Sequence, residues 1–188
     1  METWDAIRAR RNVRRYTDQP IPRDDLERIL EAGRRAPSAS NWQPWNFVVV
    51  TDREQLVELA KAWEQGGRHI ARSAATITLV GREPEDQRQR DLLHYDFGQA
   101  TANMLLMASD RGIGSGHSAV ADQEQAQRVL GFPDGYFAVY MIGLGYPTDR
   151  YGRSSTRIAG PSTRSCTGIA GNRHVGPSQP LRGYLMPS

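Results

Sequence analysis

Apolar residues recur along the first 150 positions with two distinct periods. Continuous runs rich in Val, Ile and Thr occupy "NFVVVTD" (46–52), "AATITLVG" (74–81) and "GYFAVYMIGLGYP" (135–147). Each is bounded by turn residues, which predicts three buried strands. Between them the spacing turns helical. Leu26, Ile29, Leu30 and Gly33 follow "PIPRDD", where Pro22 and the Asp24/Asp25 pair suit a helix start. Leu56, Leu59, Ala60 and Trp63 predict a second helix, and Leu93, Phe97, Ala100, Met104 and Met107 a long central one reaching about Arg111. A short helix over 122–131 opens on a capping Asp122 and closes on Gly131. Strands flanked by helices in this way predict a layered α+β or α/β domain.

Residues 151–188 break the pattern. This stretch holds six Gly, four Pro and nine Ser or Thr in 38 positions, with no apolar period and no helix cap. Such a composition reads as coil that cannot offset its ordering entropy by burial. Charge divides at the same place. Residues 1–150 hold all 21 acids against 19 bases, a net charge of −2, while the tail holds five Arg and no acid. The basic character of the whole chain therefore belongs to the tail, as scattered arginines without aromatic interleaving, and a nucleic-acid partner is not expected. No apolar run approaches the ~20 residues of a membrane span, so no membrane partner is expected either. Cys166 is the single cysteine, which rules out an internal disulfide and suits a cytoplasmic location.

Three constellations could carry chemistry. "RARRNVRRY" (8–16) sets five arginines within eight positions around Asn12, either as a solvated helix face or as a grip on a phosphate. "PSASNWQPW" (37–45) is too rich in Pro and Ser for a helix interior and too polar for a buried strand. Its prolines fix the backbone around Ser38 and Asn41, while Trp42 and Trp45 add flat apolar surface; the loop either closes the core or forms a platform for a planar heteroaromatic ligand. "RGIGSGHSAV" (111–120) follows the central helix, and Gly112, Gly114 and Gly116 permit close backbone approach. It is no dinucleotide fingerprint, because it follows a helix rather than a strand. His69, His94, His117 and Cys166 show no metal-ligand spacing, and no G-x-S-x-G elbow exists.

Taken in order, these blocks resemble the nitroreductase-like family of FMN flavoproteins across residues 4–150. The likeness rests on an R-R-[SN]-x-R-x-[FY] start at Arg10–Tyr16, then A-P-S at Ala36–Ser38, then N-x-Q-P-W at Asn41–Trp45 before the first long strand. The resemblance implies an α+β fold with a central mixed sheet flanked by helices, one subunit of an intertwined homodimer. It implies that Arg10, Arg11, Asn12 and Arg14 grip the FMN phosphate and ribityl chain, with Arg10 or Arg14 reaching the ring edge. Pro37, Ser38 and Ala39 would lie against the isoalloxazine, usually that of the partner subunit, while Asn41 and Gln43 hold the loop or touch the flavin. Ser115, Gly116, His117 and Ser118 fall on the segment whose backbone N–H groups face the flavin N5–O4 edge. The implied chemistry is a ping-pong cycle, with NAD(P)H as co-substrate and a small flat molecule, a nitroaromatic or quinone, as electron acceptor. No catalytic acid is assigned, and His117 is the one candidate raised.

The tail departs from that family, which continues after "GYP" with a basic phosphate ligand and a segment that wraps the partner. Its acid-free mixture, in a chain of 23 Arg and one Lys, reads as residues 151–188 out of frame. A dimeric flavin-binding protein without turnover is the alternative that such a loss suggests. Deiodination or flavin fragmentation is disfavoured, because "WEQGGRHIARS" (63–73) is short for the lid those reactions use.

Overall fold

The computed structural model describes residues 2–148; the expectations for 151–188 lie outside the described residues. Five α-helices and four strands follow in the order α1 (Thr3–Ala9), α2 (Arg23–Arg34), β1 (Asn46–Val50), α3 (Arg53–Ala60), β2 (Ala75–Arg82), α4 (Gln87–Asp110), β3 (Gly114–Ala119), α5 (Gln123–Leu130) and β4 (Tyr136–Gly145). The sheet has the order β1-β2-β4-β3, and each neighbouring pair runs antiparallel. Against the expected mixed sheet, parallel pairing among the described residues is confined to one isolated bridge, Asn12 to Ser115. The sheet strands themselves carry none of it, because each meets its neighbour head to tail.

Helices cover both faces, which is why β2 shows no polar alternation towards solvent: seven of its eight residues are buried, Thr76 and Thr78 among them. On one face Ile77 and Leu79 meet Ile29 of α2 and Leu93, Phe97, Ala100 and Met104 of α4. On the other, Met141 packs with Leu56 and Leu59 of α3, and Val80 and Ala138 with Ala126 of α5. The cap expected at Asp122 forms, its carboxylate accepting from Gln125 N at 2.9 Å, and Gly131 closes α5 at φ 70°. Trp63 lies past the end of α3, in a 3-10 turn over Lys61–Trp63.

The "GSGHSA" stretch, which is not among the three strands that the apolar pattern predicts, is strand β3. Its propensity for that state is low, and pairing with β4 along its whole length overrides it.

Candidate functional site

The glycines of β3 find their reason in what lies over them. Gly114 and Gly116 pair with Gly145 and Gly143 of β4, so four glycines form a floor without side chains. Across this floor runs Asn12–Tyr16. A Cβ on Gly114 would meet the Val13 side chain at 2.7 Å, and one on Gly116 the Val13 carbonyl oxygen at 2.6 Å. One on Gly145 would meet the Tyr16 ring at 2.7 Å. The crossing is pinned by Val13 N donating to Ser115 O at 2.8 Å and by Thr17 N donating to Tyr146 O at 2.8 Å. The Tyr16 hydroxyl, 2.7 Å from the Val13 carbonyl, anchors it further. The first and third constellations, a hundred residues apart in sequence, are thus one structure.

Segment 10–14 brings cations with it. Arg10 reaches Asn12 Oδ1 at 3.3 Å, and Arg11 donates to the carbonyls of Arg8 and Arg10, closing the end of α1. Among the described residues none of Arg10, Arg11 and Arg14 forms an ion pair. The segment that carries them meets the outer edge of β3, the last strand of the sheet, at Asn12. Because Ser115 turns its carbonyl outward to Val13, alternation sends the backbone groups of His117 to the same edge, and the bridge from Asn12 does not extend that far. An unneutralised guanidinium cluster next to open backbone N–H is a donor set that fits an anionic, ring-edged cofactor such as FMN. The His117 side chain is exposed, whereas Ser115 and Ser118 are buried and the Ser118 hydroxyl has no partner among the described residues.

The Pro37–Gln43 loop is built separately, on α4. Ala39 N donates to both carboxylate oxygens of Asp96 (3.2 and 3.0 Å), and Gln99 Nε2 donates to Pro37 O at 3.2 Å. Inside the loop Gln43 N donates to Ser38 Oγ at 2.9 Å, and Gln43 Nε2 to Asn41 Oδ1 at 2.7 Å. Gln43 Nε2 and Asn41 Oδ1 are therefore engaged with each other. Ser40, Asn41 and Gln43 sit at φ 50°, 56° and 51°, in the left-handed region that costs a non-glycine residue about 1 kcal/mol or more each. The surrounding bonds over-determine a strained, rigid surface. Trp45 turns into the core and stacks on Phe47, while Trp42 stays 46% exposed. Among the described residues no hydrogen bond joins this loop to the Arg10–Arg14 or Ser115–Ser118 segments.

Two residues of the site were not anticipated. Asp96 is fully buried, and its signal was an acid inside the apolar stripe beside Leu93 and Phe97. His69 is 4% exposed, with Nδ1 3.0 Å from Gly66 O and Nε2 3.0 Å from Gly116 O, so it braces β3 from the same side of the glycine floor as Val13 and Tyr16. Nothing in "GGRHIARS" announces that role. Burial holds the His69 pKa below its ordinary value of 6.5, against the two carbonyls that favour the cation and with Arg14 and His117 adding repulsion. The unfolded chain therefore takes up a proton before the folded one does. Stability contributed by neutral His69 is present above pH 6.5 and is lost as pH falls through the depressed folded value. We expect chemical denaturation between pH 7.5 and 5 to show this loss, by at most about 1.4 kcal/mol per pH unit, and His69→Gln to flatten it. An unchanged pH profile in that variant would assign the titration elsewhere.

Known proteins share this architecture. The model of the nitroreductase family matches residues 7–78 and 61–146. A protein of Archaeoglobus fulgidus that bears the provisional name NADH dehydrogenase/NAD(P)H nitroreductase is 36% identical over 147 residues, covering 76% of this chain and 84% of that one. A 4-nitrobenzoate reductase of a Nocardioides species is 48% identical over 116 residues, 59% of this chain and 47% of that protein. The solved FMN-dependent nitroreductase of Clostridium difficile superposes with a TM-score of 0.69 at 25% identity, covering 77% and 87% of the two chains. No helix among the described residues is long and apolar enough to cross a membrane. The family model spans nearly all of the described fold, including the crossing segment, the strained loop and the strand edge, and the chain belongs to the nitroreductase family.

Proposed function

We propose that the protein is an FMN-dependent NAD(P)H oxidoreductase of the cytoplasm, a homodimer that reduces nitroaromatics, quinones or similar flat acceptors in a ping-pong exchange. The observation that carries this reading is the Asn12–Ser115 bridge, which sets unpaired arginines against an open strand edge. Residues 1–150 are the FMN-binding domain of the proposal, and residues 151–188 lie beyond it. When bound, FMN supplies the two-electron chemistry between NAD(P)H and acceptor.

The chain's own residues bind and orient. Arg10 and Arg14, with Arg11 behind them, offset the charge of a phosphate and favour negative charge on the ring edge nearest to them. Asn12 offers both a donor and an acceptor to a polyol. Backbone N–H of the Ser115–Ser118 edge fixes ring orientation. The Pro37–Ser38–Ala39 wall, held by Asp96, presents a flat rigid surface that excludes water from one side. The nitro-group chemistry for which the Nocardioides and Clostridium proteins are named supports the acceptor class.

Apolar exposure supports the second copy. Helix α1 buries none of its seven residues, too short a helix to persist alone, and leaves Trp4 and Ile7 65% and 48% exposed. It packs on α4, whose Leu92 and Tyr95 are exposed in turn. Such a surface marks an interface, and a neighbouring Pro37–Gln43 loop would complete the site across it.

Purified protein is expected to be yellow, to release FMN on denaturation and to sediment as a dimer. It should oxidise NADPH or NADH with menadione or nitrofurazone as acceptor. A colourless monomer that fails to take up added FMN would overturn the proposal.

A further inference from the structure

Beside the candidate site lies a second, strongly basic feature. An open hollow of about 780 Å³ is lined by Arg14, Arg15, Lys61, Arg68 and Arg72, with Glu64 as its one carboxylate. Lys61 is engaged by Glu58 at 2.6 Å. The four arginines form no ion pair among the described residues, and all four are exposed. Guanidinium groups gathered on one concave surface repel one another, and an anion that takes several of them at once removes that repulsion. A compact dianion of the phosphate monoester class suits planar forks better than a lone carboxylate does.

Two observations say which phosphate. The hollow is several times too large for a free phosphate ion and has room for a nucleotide. It is also continuous with the candidate site: Arg14 belongs to both, and His69, on the hollow's wall, touches Gly116 of the strand edge at 3.0 Å. A ligand lying in the hollow can thus extend to the β3 edge, where the proposed function sets the flavin ring. We infer that Arg68 and Arg72, with Arg15, receive the 2′-phosphate of the adenosine half of NADPH, so that the enzyme selects NADPH over NADH. This rests on the proposed oxidoreductase function and names the reductant that it leaves open.

The test uses the FMN-loaded protein and an Arg68→Gln/Arg72→Gln variant, both changes being on exposed side chains. With menadione as acceptor, wild type is expected to use NADPH at least about tenfold more efficiently than NADH in kcat/KM. The variant should lose about tenfold or more with NADPH, while NADH stays within about twofold. Calorimetric titration of the same two proteins with 2′,5′-ADP and with 5′-AMP reads the hollow without any turnover. Wild type should bind 2′,5′-ADP selectively, and the variant should lose that selectivity. Selective binding in a protein that oxidises neither nucleotide would sustain the hollow and sink the oxidoreductase proposal instead. Equal binding of the two adenosine phosphates overturns the inference. So does competition by inorganic pyrophosphate as strong as that by 2′,5′-ADP, which marks an unselective anion hollow. A fall in FMN affinity with 2′,5′-ADP binding unchanged overturns it as well, because the arginines then serve the flavin phosphate.

Discussion

Replacing Gly116 by alanine is expected to cost the protein most of its FMN affinity together with about 2–4 kcal/mol of stability. The new Cβ would stand 2.6 Å from the Val13 carbonyl oxygen, a separation that real Cβ atoms do not occupy, and 3.2 Å from the His69 ring. At Gly114 the obstructing atoms include the Val13 Cβ, which no rotamer change can move, so that position too resists a side chain; at Gly116 the obstruction is the backbone oxygen itself. Segment 12–14 must then lift off the sheet. The lift breaks the 2.8 Å bond from Val13 N to Ser115 O and the Asn12–Ser115 bridge, and it withdraws Arg10 and Arg14 from the strand edge. We expect FMN titration to show at least a tenfold weaker complex, and thermal melting of the apo protein to show a lower Tm. Wild-type affinity in a normally folded Gly116→Ala protein would mean that the crossing segment does not hold the cofactor.

The same floor shows what could and could not be read from the chain. Strands β2 and β4 announced themselves as buried apolar runs and β1 by its β-branched valines, although β1, at the sheet edge, fully buries only Val50; Asp122 and Gly131 bounded α5 by local chemistry alone. Strand β3 carries no such residues. Its glycines are there for the chain that crosses it, and that requirement exists only once Val13 and Tyr16 are in place. The three chemical blocks were legible as blocks, and the family resemblance gave them roles. That the arginine block and the glycine block touch while the proline loop is fastened elsewhere is a fact of topology. Asp96 and His69 escaped notice for a related reason. Each is a lone polar residue whose partners, Ala39 N and Gly116 O, are 57 and 47 positions away.

Because α4 both fills the core and carries Asp96, its packing bears on the site as well as on stability. Phe97, next to Asp96, is fully buried against β2, where a Cβ on Gly81 would lie 3.0 Å from its ring. Phe97→Ala is expected to destabilise the protein by about 3–5 kcal/mol, the sum of lost apolar burial and an unfilled cavity. That is a large share of the roughly 5–15 kcal/mol that holds a domain together, and Tm should fall by about 6–20 °C. Gly81 makes the claim specific. In the wild type, Gly81→Ala crowds the ring and should destabilise by about 1 kcal/mol or more. In the Phe97→Ala background the same methyl group enters the vacated space, so the second change should cost less or restore part of the loss. Denaturation of the four proteins closes a double-mutant cycle. Additive losses would show that the ring does not pack on Gly81, and the placement of α4 over β2, with the loop it carries, would need revision.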